Sequence, residues 1–219
     1  MPESAIPAYI TSLIRHFEDL RDGTHGGSAT RKDKEAHFEK AVQLLAPIAR
    51  QVLIEINRSL LLNTGQLTET GLRRTAEGGL NASWVLSWPE QRAAGIDPIM
   101  LQAYFGGGFH HPHLRGTTVH DWPLNVFSDD DAAAQLSILR AIASSDLHNL
   151  VYRADYRIVP AVTANPTTLR TQFNSTLDPS AAEPFPDFLI HREDGGGIAG
   201  VPHIHLVGLL LERNDHPQT

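Results

Sequence analysis

The stretch TRKDKEAHFEKAVQLLAPIARQVLIEINRSL, residues 30–60, is the part of the chain that decides its fold class. Apolar side chains recur in it at steps of three or four, at Phe38, Val42, Leu45, Ala49, Val52, Ile56 and Leu60. This spacing places them along one side of an α-helix, so the stretch is predicted to form an amphipathic helix. Thr30 followed by Asp33 predicts its start, because the hydroxyl can accept a hydrogen bond from a free amide of the first turn. Pro47 is expected to kink the helix.

A shorter pattern of the same kind precedes this helix. Its apolar residues are Ile6, Ile10, Leu13, Phe17 and Leu20. They predict a first helix whose apolar side contacts the core or forms a dimerisation surface. The residues in between, DGTHGGSAT at 22–30, are rich in Gly and Ser and predict a flexible connector. Residues 1–65 are therefore expected to be a helical N-terminal part, through which the chain could form a homodimer.

The pattern changes from Asn81 onward to short apolar segments. Strands are predicted at 82–88, 156–162, 188–191 and 201–211, and an extended stretch at 117–127. Asp97 followed by Pro98 predicts a short helix through Phe105, with Asp as the cap and Pro at the first helical position.

A further long helix is predicted at about 129–150. Ser128 can cap its first turn, and three aspartates follow at the positive end of the helix dipole. The fold class is therefore α+β, with N-terminal helices packed on a mostly antiparallel β-sheet and this one further long helix. We expect a single domain over residues 1–219, with residues 80–219 as a mixed α/β part.

Composition excludes several classes of function. The formal net charge is −7 and there is no run rich in Lys and Arg, so nucleic acid is not expected as a partner. The chain has no cysteine, which leaves nitrogen and oxygen ligands for any metal. Neither a signal peptide nor an apolar run of about twenty residues is evident. A cytoplasmic protein without a membrane partner is the expectation.

Histidine is concentrated in FGGGFHHPHLRGTTVHDWPLNVF, residues 105–127. His111 and His113 flank Pro112, which favours an extended backbone and presents both rings toward one side. His203 and His205 alternate in a predicted strand and so share one face. Because neutral imidazole is the commonest metal ligand among side chains, a converged set of these rings predicts a metal site. The predicted ligands are His111, His113, His120, His203 and His205, and we expect the 111/113 and 203/205 pairs to lie close together.

The predicted activity is that of a mononuclear metalloenzyme acting on a small molecule. Two or three histidines with a carboxylate and open positions suit non-haem iron oxygenase chemistry or zinc hydrolysis. Asp121 and Arg115 are the candidate catalytic residues, the first as a carboxylate beside the ligands and the second as a two-pronged partner for a substrate anion. The motifs HExxH and GxSxG are absent. His16, His25 and His37 are assigned no role.

A second interpretation comes from GVPHIHLV, residues 200–207. This segment resembles the histidine-triad motif, in which histidines alternate with apolar residues and the middle one attacks a nucleotide phosphate. The resemblance implies a nucleotide phosphohydrolase or transferase with His205 as the nucleophile, and Val207 stands where the motif has its third histidine. A third interpretation is a non-enzymatic haem- or metal-binding module.

Overall fold

The computed structural model describes residues 6–164, and for Ala8 the backbone alone. The predicted strands 188–191 and 201–211, together with His203, His205 and the histidine-triad-like segment, lie outside the described residues. Within them, helices pack with a mostly antiparallel six-stranded sheet, which confirms the α+β class. No helix in residues 6–164 is both long enough and apolar enough to cross a membrane.

Two helices form the N-terminal part, as predicted. Helix α1 spans Ala8–Asp22 and α2 spans Arg31–Ser59. The Thr30 hydroxyl accepts a hydrogen bond from the Asp33 amide at 3.2 Å, which confirms the predicted cap. Helix α2 continues through Pro47, whose side chain faces solvent. The apolar stripe of α2 from Phe38 to Ile56 is buried, so this helix supplies one wall of the core.

The sheet follows the helices in sequence. Its strands are β1 (Gln66–Glu69), β2 (Arg73–Arg74), β3 (Leu80–Ser87), β4 (Ile99–Phe105), β5 (His113–Arg115) and β6 (Trp122–Pro123). They lie in the order β1-β3-β4-β5-β6, with β2 also paired to β3, and every pairing is antiparallel. Strand β3 confirms the strand predicted at 82–88.

The core lies on one face of this sheet. The register pairs Leu80 with Phe105, Ala82 with Ala103, Trp84 with Leu101 and Leu86 with Ile99, and all eight side chains are buried. Helix α2 and the later helix α5 (Leu136–Arg153) cover this face. Alternation along a strand puts Gln102, Tyr104, His113 and Arg115 on the opposite face.

The predicted long helix at 129–150 is present as two consecutive helices, α4 (Asp129–Ala134) and α5, which meet at Gln135. The Ser128 hydroxyl accepts a hydrogen bond from the Asp131 amide at 3.1 Å, as a cap should. Helix α3 (Pro89–Ala93) lies between β3 and β4, and α6 (Pro160–Thr163) follows a 3-10 turn at Tyr156–Ile158.

Two predicted elements are wrong. Residues 97–105 are not a helix, because residues 99–105 form strand β4. Every second residue of β4 is buried on the core face, and the strand pairs with β3 on one edge and with β5 on the other. Residues 156–162 are not a strand. Asp155 accepts a hydrogen bond from the Arg157 amide and starts a 3-10 turn, and Pro160, which has no amide hydrogen, begins α6. Within residues 6–164, the stretch 117–127 forms strand pairs at two residues, those of β6.

One buried carboxylate fixes the loop that follows β5. Asp146 of α5 is fully buried and accepts hydrogen bonds from the amides of Thr117 and Thr118 at 2.6 and 2.7 Å. The Thr118 hydroxyl donates a further one at 2.7 Å. A Cβ at Gly116 would stand 2.4 Å from a carboxylate oxygen of Asp146, so this position accepts only glycine without rearrangement.

Candidate metal centre

The connector between α1 and α2 is folded, in contrast to the flexible segment predicted. His25 and Ser28 exchange two backbone hydrogen bonds, of 2.9 and 3.1 Å, across Gly26 and Gly27. Both glycines have positive φ, which a two-residue turn of this kind requires. The turn places the His25 ring inside the protein with 1% of its surface exposed.

Asp19 lies in the last turn of α1 and is held by this connector. Its carboxylate accepts hydrogen bonds from the Thr24 hydroxyl at 2.7 Å and from the Gly26 amide at 3.3 Å. One of its oxygens is 3.5 Å from Nδ1 of His25. The carboxylate is therefore oriented toward the buried ring by groups of the connector.

His111 reaches the same place from the loop between β4 and β5. Two cations of α2 hold this loop: Arg31 donates to the carbonyls of Phe105, Gly106 and Phe109, and Lys34 donates to those of Gly23 and His110. Lys34 thereby joins the connector to the loop. The His111 ring is 3% exposed, and neither of its nitrogens has a hydrogen-bond partner among the described residues.

These three side chains form a group that could hold a metal ion. One ligand atom from each of Asp19, His25 and His111 lies within 4.8 Å of the others, and all three residues are buried. Ligand atoms on a single ion with bonds of about 2.1 Å lie roughly 3–4 Å apart, so small side-chain rotations would complete a site. Two nitrogens and one carboxylate oxygen are hard to borderline donors, which suit divalent iron or zinc.

Further imidazoles surround the group. The His16 ring of α1 is edge-on to His111 with centroids 5.0 Å apart, and His113 is 5.7 Å from His16. On the other side His37 is 6.4 Å from His25 and shares a 3.0 Å hydrogen bond with the Ser28 hydroxyl. Nδ1 of His16 and Nδ1 of His113 are buried and lack hydrogen-bond partners in the described part of the chain.

Of the metal ligands predicted from sequence, one belongs to this group, one lies next to it and one is exposed to solvent. His111 belongs to it, and His113 is adjacent to it. His120 is exposed to solvent. The structure brings together Asp19 and His25, which sequence analysis left without a role. In the sequence, the one trace of Asp19 is that Ser12, His16 and Asp19 form a polar stripe at helical spacing in α1.

Arg115 and Asp121 gather around Tyr104 of β4. The Tyr104 hydroxyl donates a hydrogen bond to Asp121, and the Arg115 guanidinium lies 4.5 Å from the centre of the Tyr104 ring. Arg115 also donates to the side-chain oxygen of Gln102 at 2.6 Å. Burial and then the bond to Asp121 raise the pKa of Tyr104. The catalytic roles of Arg115 and Asp121 stay predictions.

A surface cavity of about 570 Å³ reaches Asp19 from outside. Its lining contains Arg15, Glu18, Arg21 and Asp22. Arg15 pairs with Asp131 at 3.0 Å and Arg21 with Asp22 at 2.7 Å. The cavity is therefore polar and charged, and of the three grouped side chains Asp19 lines it.

Comparisons of the chain with models of protein families, with curated proteins and with solved structures found no match in any of the three. Arguments about function therefore rest on the chemistry of the group itself.

The stability of the metal-free protein is expected to fall between pH 6.5 and pH 4. Burial lowers the pKa of His25 to about 4 and that of His111 to about 4, with Asp19 opposing the shift, and burial lowers the pKa of His16 and His113 as well. The unfolded chain, with histidine pKa values near 6.5, binds more protons in this window. Stability is then fully present above pH 6.5 and is lost as pH falls.

Denaturant unfolding in EDTA at several pH values measures this effect. Each unit of pKa difference corresponds to about 1.4 kcal/mol, so we expect a loss of a few kcal/mol by pH 4.5. The double variant His25→Gln/His111→Gln removes two of the groups and should flatten the slope. An unfolding free energy of the wild-type protein that is equal at pH 7 and pH 4.5 would contradict the buried, neutral state of these rings.

Proposed function

We propose that the chain is a mononuclear metalloenzyme whose divalent iron or zinc ion is held by Asp19, His25 and His111. The observation that carries the proposal is the His111 ring, which is buried with two nitrogens that lack partners among the described residues. A buried polar group without a partner costs about 1–3 kcal/mol, so such a group in a folded protein usually serves a bound ligand, an ordered water or a reaction. A metal ion bound to one nitrogen removes part of this cost.

The surroundings support an ion in three ways. Thr24 and Gly26 orient the Asp19 carboxylate by hydrogen bonds, as partners of ligating groups usually do. Nδ1 of His16 and Nδ1 of His113 are buried without partners among residues 6–164, and the His16 ring is edge-on to His111. A small movement would let His16 accept a hydrogen bond from the second nitrogen of His111. Asp19 contributes a negative charge that offsets part of the charge of the cation.

An enzyme is favoured over a purely structural site because the group has three members within residues 6–164. Structural zinc sites usually have four protein ligands, whereas catalytic sites have three and leave a position for water or substrate. When bound, the ion would supply Lewis-acid activation or a hydroxide at neutral pH. Asp19 borders the charged cavity, which would admit a small polar molecule. We propose a small-molecule substrate and, on the sequence evidence alone, a cytoplasmic location.

Elemental analysis tests the metal directly. Protein purified without a histidine tag, and then exposed to Fe²⁺ or Zn²⁺ and desalted, should retain one ion per chain. The Asp19→Asn variant keeps the size of the side chain and removes its charge, and it should retain less metal. Wild-type protein that retains no ion after either treatment would overturn the proposal.

A further inference from the structure

Helix α1 is turned with its polar side inward. Ser12 and Asp19 are buried and His16 is partly buried, a stripe at positions i, i+4 and i+7. Five apolar residues face away from it, with 64, 48, 44, 59 and 51% of the residue surface exposed at Ile6, Tyr9, Ile14, Phe17 and Leu20. Ile10 and Leu13 are partly buried. Within residues 6–164, the apolar stripe of α1 therefore does not contact the core, in contrast to the core-contact interpretation.

Polar contacts hold α1 in place. Asn125 donates to the Ser12 carbonyl at 2.8 Å, Arg15 pairs with Asp131, and the connector binds Asp19. None of the described apolar side chains of α1 belongs to the core or packs against it. Five of the twelve large apolar side chains exposed in residues 6–164 lie on or just before this one helix. Their spacing of three to five residues puts them on one side of the helix. Surfaces of this kind on a folded protein usually contact another molecule.

We propose that the apolar face of α1, formed by Ile6, Tyr9, Leu13, Ile14, Phe17 and Leu20, docks on the same face of a second copy of this chain. Aromatic side chains such as Tyr9 and Phe17 have areas on the order of 150–250 Å², and with the smaller Ile and Leu side chains the exposed part of the face is on the order of 500 Å² on each copy. A two-fold pairing would bury at most on the order of 1,000 Å² from these side chains, which is the minimum expected of a biological interface and the size of a weak one. In a two-fold symmetric dimer each copy contributes the same face, so the apolar face of α1 alone can form both sides of the interface.

Charge does not oppose this pairing, although the whole chain is acidic. Helix α1 carries Arg15 and Arg21 alongside Glu18 and Asp22, so the charges beside the apolar face are mixed in sign. An antiparallel arrangement also sets the two helix dipoles in opposition, which is favourable. The exposed residues run from 6 to 20, so the two-fold axis passes near Leu13. The inference does not depend on a bound metal.

Sedimentation velocity over a concentration series tests the pairing in the full-length protein. We expect a monomer–dimer equilibrium that Phe17→Asp weakens at least about 30-fold, the effect of losing a central contact of about 2 kcal/mol. The matched control is Ile54→Asp, because Ile54 is exposed by 50% on α2 and should leave the equilibrium unchanged. A protein that stays monomeric at about 100 μM, or a dimer that Phe17→Asp leaves intact, would overturn the proposal.

Disulfide cross-linking locates the contact, because the chain has no cysteine of its own. A single cysteine at Leu13→Cys lies near the axis and should cross-link two copies on oxidation. At Leu20→Cys the two thiols would lie about 20 Å apart along the helices and should not cross-link. Cross-linking at both positions would overturn the antiparallel arrangement. If the protein is a monomer and the thiol of Phe17→Cys resists labelling, another part of the chain covers the apolar face. If the monomer binds anionic lipid vesicles through α1, a membrane covers it. Either result would overturn docking by a second copy.

Discussion

Replacing His111 with alanine is expected to lower the affinity for Zn²⁺ at least about 100-fold. This exceeds the roughly 10- to 100-fold loss that follows when a residue hydrogen-bonded to a metal ligand is removed. The variant removes one of three ligands, and no cysteine in the chain can replace it. The His111 ring lies beside the rings of His16 and His25 and near Asp19. Its removal therefore also removes the packing that holds the two remaining ligands in place. Isothermal titration with a competing chelator measures the affinity.

Two control variants separate this account from the set of ligands predicted by sequence. His113→Ala removes a ring that is adjacent to the group, and His120→Ala removes an exposed ring of the same segment. We expect the first to weaken binding less than His111→Ala and the second to leave it unchanged. Equal losses in His111→Ala and His120→Ala would contradict the placement of the site.

Replacing Asp146 with alanine is expected to lower the free energy of unfolding by about 3–5 kcal/mol, because three donors would each lose a hydrogen bond to a buried carboxyl group. The carboxylate is fully buried and accepts from two amides and one hydroxyl, all of which would lose their acceptor. An exposed control is Glu39→Ala on α2, for which we expect a change within about 0.5 kcal/mol.

Denaturant unfolding of the two variants measures the difference. If Asp146→Ala unfolds at the denaturant concentration of the wild-type protein, the hydrogen bonds to Thr117 and Thr118 do not hold the loop after β5. The loop carries His120 and leads to Asp121, so proteolysis within 116–121 of the variant gives an independent check of its order.

The elements predicted correctly from sequence are those whose pattern of apolar and capping residues lies within a short stretch of the chain. The stripe of α2 with its Thr30 cap, the strand ending near Ser87 and the Ser128 cap are each read within a few residues. Strand β4 was missed because Asp97–Pro98 resembles a helix start. Pairing on both edges of the strand and the burial of its apolar residues outweigh that local preference.

The candidate site shows the same limit. His111 was found because histidine is dense around it. Asp19 and His25 join it through the packing of α1 and the connector against a loop more than eighty residues away, and no local pattern encodes that contact. Periodicity likewise gave α1 and α2 similar apolar stripes. It identifies a face of a helix and not the molecule that covers it, so it could not show that α1 keeps its polar side inward.

The most direct test of the metal centre is anomalous X-ray scattering from crystals grown with Zn²⁺ and measured on both sides of the zinc edge. We predict one strong anomalous peak per chain, bonded to Asp19, His25 and His111 at about 2.0–2.2 Å. The absence of a peak beside His111, or a single peak bonded to His113 or His120 and away from His25, would contradict the account.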